Sequence, residues 1–415
     1  MNVSACFGLF RRRQAWLAVV VACGVAVFQA CKPDPDVQEP VPQRGAIIYD
    51  SLIYSFNKTQ ADSFLKARNL ALLPVQNGLR FYRIKYHTPD PVGGMTTASA
   101  GIVLPILADP STGVPMLAYN HGTISKRKAV PSYGGLEQTL GVVMASQGFC
   151  AVLSDYLGLG DSDFPYHPYI HASSEATAIV DALRAAKTLA ARESVALNGK
   201  LFLAGYSQGG HATMAAHREL QTKHAGEFTV TASAPLAGPH DLGGVQADMI
   251  ASDQEYAVPS YLPFFIIGYN NIYKLYPSLS DIIKPEYMAS VIPMFNGEYS
   301  NSQIDALMPK VPKEIIKPEV MAAYVNDPNH PLRRVLADNN THTGWVPQAP
   351  IFMAHCTSDE EVSYQNSVVA RRKFAEQGAD TLNNIRLTSP SSTLTHFQCA
   401  EPSILSAYLW FQNFR

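Results

Sequence analysis

The chain lacks any excess of charge of one sign. Its 32 Lys and Arg nearly balance 34 Asp and Glu, for a formal net charge of -2. There is no basic stripe to hold nucleic acid and no acidic tail. Charged residues make up only 16% of the 415 positions, so recognition must come from a pocket rather than a charge field. Cysteine is scarce as well. The six present are too few and too widely spaced for a disulfide scaffold or a zinc site. Beyond the first thirty residues no apolar run is long enough to span a bilayer. What is plentiful is apolar material, 47% of the chain, ample for one large core with an insertion.

The N-terminus reads as an export signal. Arg11, Arg12 and Arg13 precede the uncharged apolar run 14–30, and residues 1–30 are expected to act as a signal peptide. The alternative is an uncleaved membrane helix, because the run is near the lower length limit for spanning. The segment Phe28-Gln29-Ala30-Cys31 resembles the bacterial lipoprotein signal, with phenylalanine where leucine is usual. That resemblance implies acylation of Cys31 and a membrane partner held through an N-terminal lipid anchor, on the periplasmic or cell-surface side. An ordinary cleaved signal is the competing reading. Residues 31–45, rich in Pro, Asp and Gln, read as a flexible tether.

From there the chain alternates. Runs rich in β-branched and aromatic residues mark strands at 79–85, 96–105, 116–119, 149–154, 201–204, 228–234, 351–354 and 385–388. Helical patterns fall at 136–147, 173–192, 209–224, 363–377 and 401–414. The first two strands suit an antiparallel pair. The rest imply a parallel sheet covered on both faces, an α/β architecture of eight strands. Residues 238–347 hold short helical segments broken by Pro and aromatics, too apolar for a disordered loop. They read as a helical cap inserted between core segments 46–237 and 348–415, or else as a small domain unrelated to the site.

Gly205-Tyr206-Ser207-Gln208-Gly209 fits the nucleophile elbow G-x-S-x-G, entered by the apolar run 201–204 and left by a helical pattern. Small residues are needed there because the serine occupies a strained strand-to-helix turn. An activated serine needs a base oriented by a carboxylate, and the fold that carries such an elbow has them in the chain order Ser, acid, His. Asp359 follows the strand 351–354 and is the candidate acid, with Glu360 and Glu361 as rivals. Of the twelve histidines only His396 lies downstream of it, and it is the candidate base. His211 and His217, on the helix after the elbow, read as structural. A tetrahedral intermediate needs two aimed N–H donors. Gln208 would supply one, and Thr123, in Asn120-His121-Gly122-Thr123, the other.

These pieces resemble the α/β-hydrolase superfamily, and in detail the secretory lipase family of exported esterases. Asp155-Tyr156-Leu157-Gly158-Leu159-Gly160 and His167-Pro168-Tyr169 carry the resemblance too, which spans roughly residues 79–415. It implies an eight-stranded sheet, a helical cap and hydrolysis of carboxylic esters without a cofactor or metal. One departure is His355-Cys356, where His-Gly is common in the family. Asp155, Tyr156 and Glu175 would line the pocket or form a buried network beneath it. A small-molecule or lipid ester is the expected substrate. The competing functions are a serine peptidase on the same fold and a non-catalytic surface lipoprotein with a hydrolase fold.

Cys356 precedes the candidate acid by three residues and Cys399 follows the candidate base by three. If acid and base share a hydrogen bond their loops lie side by side, and the two cysteines are expected to form a disulfide. Two buried free thiols are the alternative. Cys150 is expected to stay reduced in the core.

Overall fold

The computed structural model describes residues 42–71 and 73–415; the signal segment and Cys31 lie outside them. The described chain begins on an edge strand, β1 (Ile47–Phe56), followed by helix α1 (Lys58–Lys66). Neither was expected. The strand signal is weak because β1 is half solvent-facing along its length and does not alternate. Helix α1 did carry a start signal, since Asn57 and Gln60 cap each other's backbone N–H groups at 2.9 Å in both directions. Arg44 and Gly45, placed at the end of the tether, are docked on the core instead. The Arg44 guanidinium pairs with the buried Asp181, and Gly45 N–H donates to His87 O at 2.8 Å.

Strands β2 (Gly78–Pro89) and β3 (Met95–Ile106) form the expected antiparallel pair. Then come β4 (Val114–Asn120), α2 (Gly135–Ser146), β5 (Cys150–Ser154), α3 (Ala172–Arg192), β6 (Leu197–Tyr206), α4 (Gln208–Lys223) and β7 (Val230–Leu236). After a long insertion the chain resumes with β8 (Ile351–Ala354), α11 (Gln365–Glu376), β9 (Ile385–Thr388) and α12 (His396–Phe411). The sheet has nine strands in the order β1-β2-β3-β5-β4-β6-β7-β8-β9, one more than the eight expected, the extra one being β1. From β5 to β9 all neighbours are parallel.

The sheet is buried on both faces, which accounts for the near-continuous apolar runs of its central strands. One face packs against α1, α2 and α12 around Phe81, Phe149, Phe202 and Phe411. The other packs against α3 and α4 around Tyr86, Ile179, Leu183 and Leu203. Strand order reverses between β5, β4 and β6, so the carboxyl ends of β4 and β6 flank a crevice. In open α/β sheets ligands bind at such a switch point.

Between β7 and β8 lie six helices: α5 (Ala247–Ala251), α6 (Tyr261–Tyr273), α7 (Pro285–Ser290), α8 (Asn301–Asp305), α9 (Pro318–Asn326) and α10 (Pro331–Asp338). The only β pairing in this insertion is the isolated bridge Ile283–Ile316. Three of the prolines that interrupt its sequence start helices, at the first helical position of α7, α9 and α10. Their missing N–H costs nothing there. The insertion has a core of its own, built on Phe264, Phe265, Tyr269, Ile283, Ile315 and Tyr324.

Candidate active site

Ser207 sits between β6 and α4 with φ 61° and ψ -122°, a left-handed conformation that is strained for a residue with a side chain. Two glycines make the turn possible. A Cβ at Gly209 would fall 1.9 Å from Asn120 O, and one at Gly205 would fall 2.6 Å from the same oxygen. The elbow therefore presses on the end of β4, and only hydrogen atoms fit between them. Ser207 N–H is anchored on Leu236 O at 3.0 Å, at the end of β7.

The β4–β6 register pairs Asn120 with Gly205. That pairing brings the loop after β4 alongside the residues after β6. Gly122 packs near Tyr206 O and the Ser207 Cβ, so Thr123 lies on the loop beside the elbow. The Thr123 hydroxyl is bonded to the Tyr169 hydroxyl at 2.9 Å. Gln208 opens α4, where backbone N–H groups have no intrahelical partner. Its side-chain amide is held by Glu175 and by the His167 ring, each at 2.9 Å.

Beneath these residues lies a buried polar network. Glu175 accepts from His211 Nδ1 at 2.7 Å, and the other ring nitrogen of His211 faces Asn339 O at 2.9 Å. Asp155 accepts from the Ser99 hydroxyl at 2.6 Å and Ser132 N–H at 3.1 Å, while burial raises its carboxyl to about 6. Tyr156 donates to His121 O at 3.1 Å. None of Asp155, Tyr156 or Glu175 lines the cavity described below; each supports the floor of the site. His217 bonds Ser233 at 2.9 Å, away from the serine. Burial pulls the imidazoles of His121 and His167 down to about 4, which keeps them neutral hydrogen-bonding partners.

Three consecutive carboxylates after β8 surround His396. Asp359 Oδ2 is 2.6 Å from Nδ1 of the ring. Glu360 accepts from His396 backbone N–H at 2.9 Å. Glu361 Oε2 lies 4.0 Å from Nε2. The three acids thus take three different positions, with Asp359 on Nδ1 of the ring. Asp359 also accepts from the N–H groups of Glu361 and Val362 at 3.0 and 2.7 Å, and faces His355 Nε2 at 3.3 Å. Burial pushes its carboxyl up, but the hydrogen bonds and charges of His355 and His396 outweigh this and hold it well below the usual carboxylate range. For His396 burial works against charging, and the Asp359 hydrogen bond with the three nearby carboxylate charges more than offsets it. The imidazole is raised above its ordinary value.

His396 is the first residue of α12 rather than a loop residue. Thr395 and Gln398 form a capping box that starts the helix five residues before the expected start at 401, and Pro402 lies inside it. Tyr206, the neighbour of Ser207, donates its hydroxyl to His396 O at 2.7 Å, and the two rings pack 4.9 Å apart. His396 is thus tied to the elbow itself. Among the described residues no hydrogen bond joins the Ser207 hydroxyl to the imidazole; such bonds are often loose before substrate binds. Cys356 and Cys399 are joined in a disulfide with Cα atoms 6.1 Å apart, and Cys150 is a buried free thiol.

Ser207 opens into a cavity of about 1120 Å³, mouth included. Its floor is Ser207, Gln208 and Tyr169, and the insertion supplies most of the wall, including Tyr261, Phe265, Met321 and Leu336. The lining is almost wholly apolar. Sequence reasoning missed Tyr169, Tyr206, His355 and Tyr261. Tyr169, Tyr206 and His355 fell in segments already singled out, though without a role of their own. Among the described residues no cluster of His, Cys, Asp or Glu is placed to hold a metal ion.

A mixed, mostly parallel sheet with a left-handed serine at the carboxyl edge of its central strand defines an α/β-hydrolase. The family model of the secretory lipases matches residues 127–412, and the chain belongs to that family. The rice cell wall degrading esterase LipA from Xanthomonas oryzae superposes with a TM-score of 0.78 at 28% identity, covering 90% of this chain and 100% of that one. A putative hydrolase from Legionella pneumophila gives 0.78 at 26%, covering 89% and 98%. Candida antarctica lipase A shares the fold, with a TM-score of 0.65 at 17% identity over 90% and 83% of the two chains. No curated protein matches the chain in sequence. The family and these neighbours make it an ester hydrolase.

Proposed function

We propose that the chain is an exported serine esterase or lipase acting through an acyl-enzyme. Ser207 Oγ attacks the ester carbonyl carbon while its proton passes to His396 Nε2. The tetrahedral oxyanion accepts hydrogen bonds from the N–H groups of Gln208 and Thr123. Collapse expels the alcohol, which leaves with the proton from His396. Water then attacks the acyl-enzyme by the same route and releases the acid and the free serine. Asp359 keeps the proton-bearing Nδ1 turned toward itself, so that Nε2 is the nitrogen that works.

The observation that carries this reading is the joint placement of Ser207. It stands on a left-handed elbow, opens into the apolar cavity, and is next to the tyrosine that bonds the backbone carbonyl of His396, whose imidazole is bound to Asp359. The insertion 238–347 serves as the cap that selects substrate, and its apolar wall suits the acyl chain of a lipid-like ester. Export and anchoring through an acylated Cys31 complete the reading; no helix among the described residues is long and apolar enough to cross a membrane. Hydrolysis rates on p-nitrophenyl esters from acetate to palmitate test it. The expected result is turnover that rises from acetate to butyrate or longer chains. No turnover on any ester would contradict it.

A further inference from the structure

Asp359 and His396 leave one ionisable neighbour of the imidazole without a role. Glu361 Oε2 lies 4.0 Å from Nε2, the nitrogen opposite the one bound to Asp359. Its side chain is only 14% exposed, and among the described residues no Lys or Arg pairs with it. What holds it comes from the insertion. Tyr261, the first residue of α6, donates its hydroxyl to Glu361 Oε2 at 3.0 Å. Tyr256 and the Gln246 amide both donate to Glu361 O, at 2.6 and 3.1 Å. One residue of the inserted segment thus holds the carboxylate itself, and two more fix the backbone carbonyl of the same residue.

We propose that Glu361 is a positioning residue for the hydrolytic step, a second carboxylate that steadies the imidazolium from its Nε2 side and ties the triad to the cap through Tyr261. This rests on the proposed role of His396 as base. When Ser207 attacks, the proton arriving at Nε2 creates a positive charge between two carboxylates. Asp359 meets it on one edge of the ring and Glu361 on the other. At 4 Å in a site shielded from water such a pair interacts appreciably, and far more than it would at an exposed surface. Burial raises the Glu361 carboxyl, but the His396 charge and the Tyr261 hydroxyl oppose that rise. Burial first, and then neighbouring charge, keep the Tyr261 phenol protonated and able to donate. The titratable groups facing this pair are Asp359, Glu360 and His355 on the acid loop, Tyr206 on the elbow side, and Tyr169, Tyr256 and Tyr261 around the cavity.

The direction of the effect follows from charge. Glu361 favours the protonated imidazole, so removing its charge lowers the imidazole pKa. The base must be neutral to act, and the acid limb of the rate profile moves to lower pH.

The test is the pH dependence of kcat and kcat/KM on p-nitrophenyl butyrate for the full mature protein and its Glu361→Gln and Tyr261→Phe variants. Glu361→Gln is expected to shift the acid limb down by about half a unit or more, with kcat at the plateau reduced about three- to tenfold and KM little changed. Tyr261→Phe removes the donor that supports the ionised carboxylate and should shift the limb the same way by less. If Glu361→Gln fails to fold, the Tyr261→Phe shift alone decides the matter. Profiles of folded variants that superimpose on the wild type overturn the proposal. A Ser207→Ala control separates the two readings. If it is inactive while the Glu361→Gln limb stays put, only the role of Glu361 falls; if it is active, the triad falls with it.

Discussion

Removing the Cys356–Cys399 bridge should destabilise the protein and loosen the acid against the base. Both sulfurs are fully buried in the core beneath the site, and 43 residues separate the two cysteines. In the chain-entropy model a closed loop of that size is worth about 4 kcal/mol, from roughly 13 cal/mol/K at 25 °C. The double variant Cys356→Ala, Cys399→Ala is the right perturbation. Serine would place hydroxyls in an apolar core, and a single change would leave a lone thiol. The expected loss is about 2–4 kcal/mol, a melting point lower by roughly 3–5 °C for a unit of this size. At 25 °C the variant stays folded, but with Asp359 and His396 free to drift, kcat should fall several-fold while KM holds. Thermal melts of the two proteins under non-reducing conditions, with kcat measured in parallel, give the numbers. Thiol titration of the denatured, unreduced mature protein, freed of Cys6 and Cys23 with the signal and acylated at Cys31, should find one group, Cys150. Three thiols, or a double variant that melts within about 1 °C of the wild type, would refute the reasoning.

Other consequences can be checked separately. Gly209→Ala forces a Cβ against Asn120 O at the end of β4, so it should cost about 1–3 kcal/mol of stability and lower kcat by displacing the Thr123 loop; a variant of full activity would mean the elbow has slack. Carboxylates raise the His396 imidazole above its ordinary value of 6.5, so activity should fall as pH drops, with a midpoint above that value in the kcat/KM profile; a midpoint below it would contradict the geometry. Asp359→Asn should cost orders of magnitude in kcat, whereas Glu360→Gln, which loses only a bond to backbone N–H, should cost far less; the reverse ranking, read from the same ester assay, would move the acid. Cells fed a clickable fatty acid should label the wild type but not Cys31→Ser, and an unlabelled wild type would rule out the anchor.

The parts of this fold that were legible from the sequence are those where one local cause decides. Strand β8 is buried at every position, so composition alone marked it to the residue, and the elbow announced itself because its backbone tolerates only glycine at 205 and 209. The parts that were hidden depend on partners distant in the chain. Strand β1 is an edge whose side chains are largely exposed, and pairing with β2 rather than pattern makes it a strand. The start of α12 was masked by Pro402, a helix breaker that this helix accommodates. The sequence favours Asp359 among the adjacent acids 359–361, but their separate positions around His396 come from the path of the loop after β8, which spacing does not reveal. Tyr206 fills the unrestricted position of the elbow motif, and Tyr261 falls in no motif. Their importance comes from what their hydroxyls reach, 190 and 100 residues away.

The most direct test of the account is turnover of p-nitrophenyl butyrate by Ser207→Ala, alongside labelling of both proteins with a fluorophosphonate. The wild type should label once and lose activity in proportion. The variant should fold and melt like the wild type, take no label, and hydrolyse the ester at least about 10⁴-fold more slowly. A folded Ser207→Ala protein with near wild-type turnover would contradict the account at its centre.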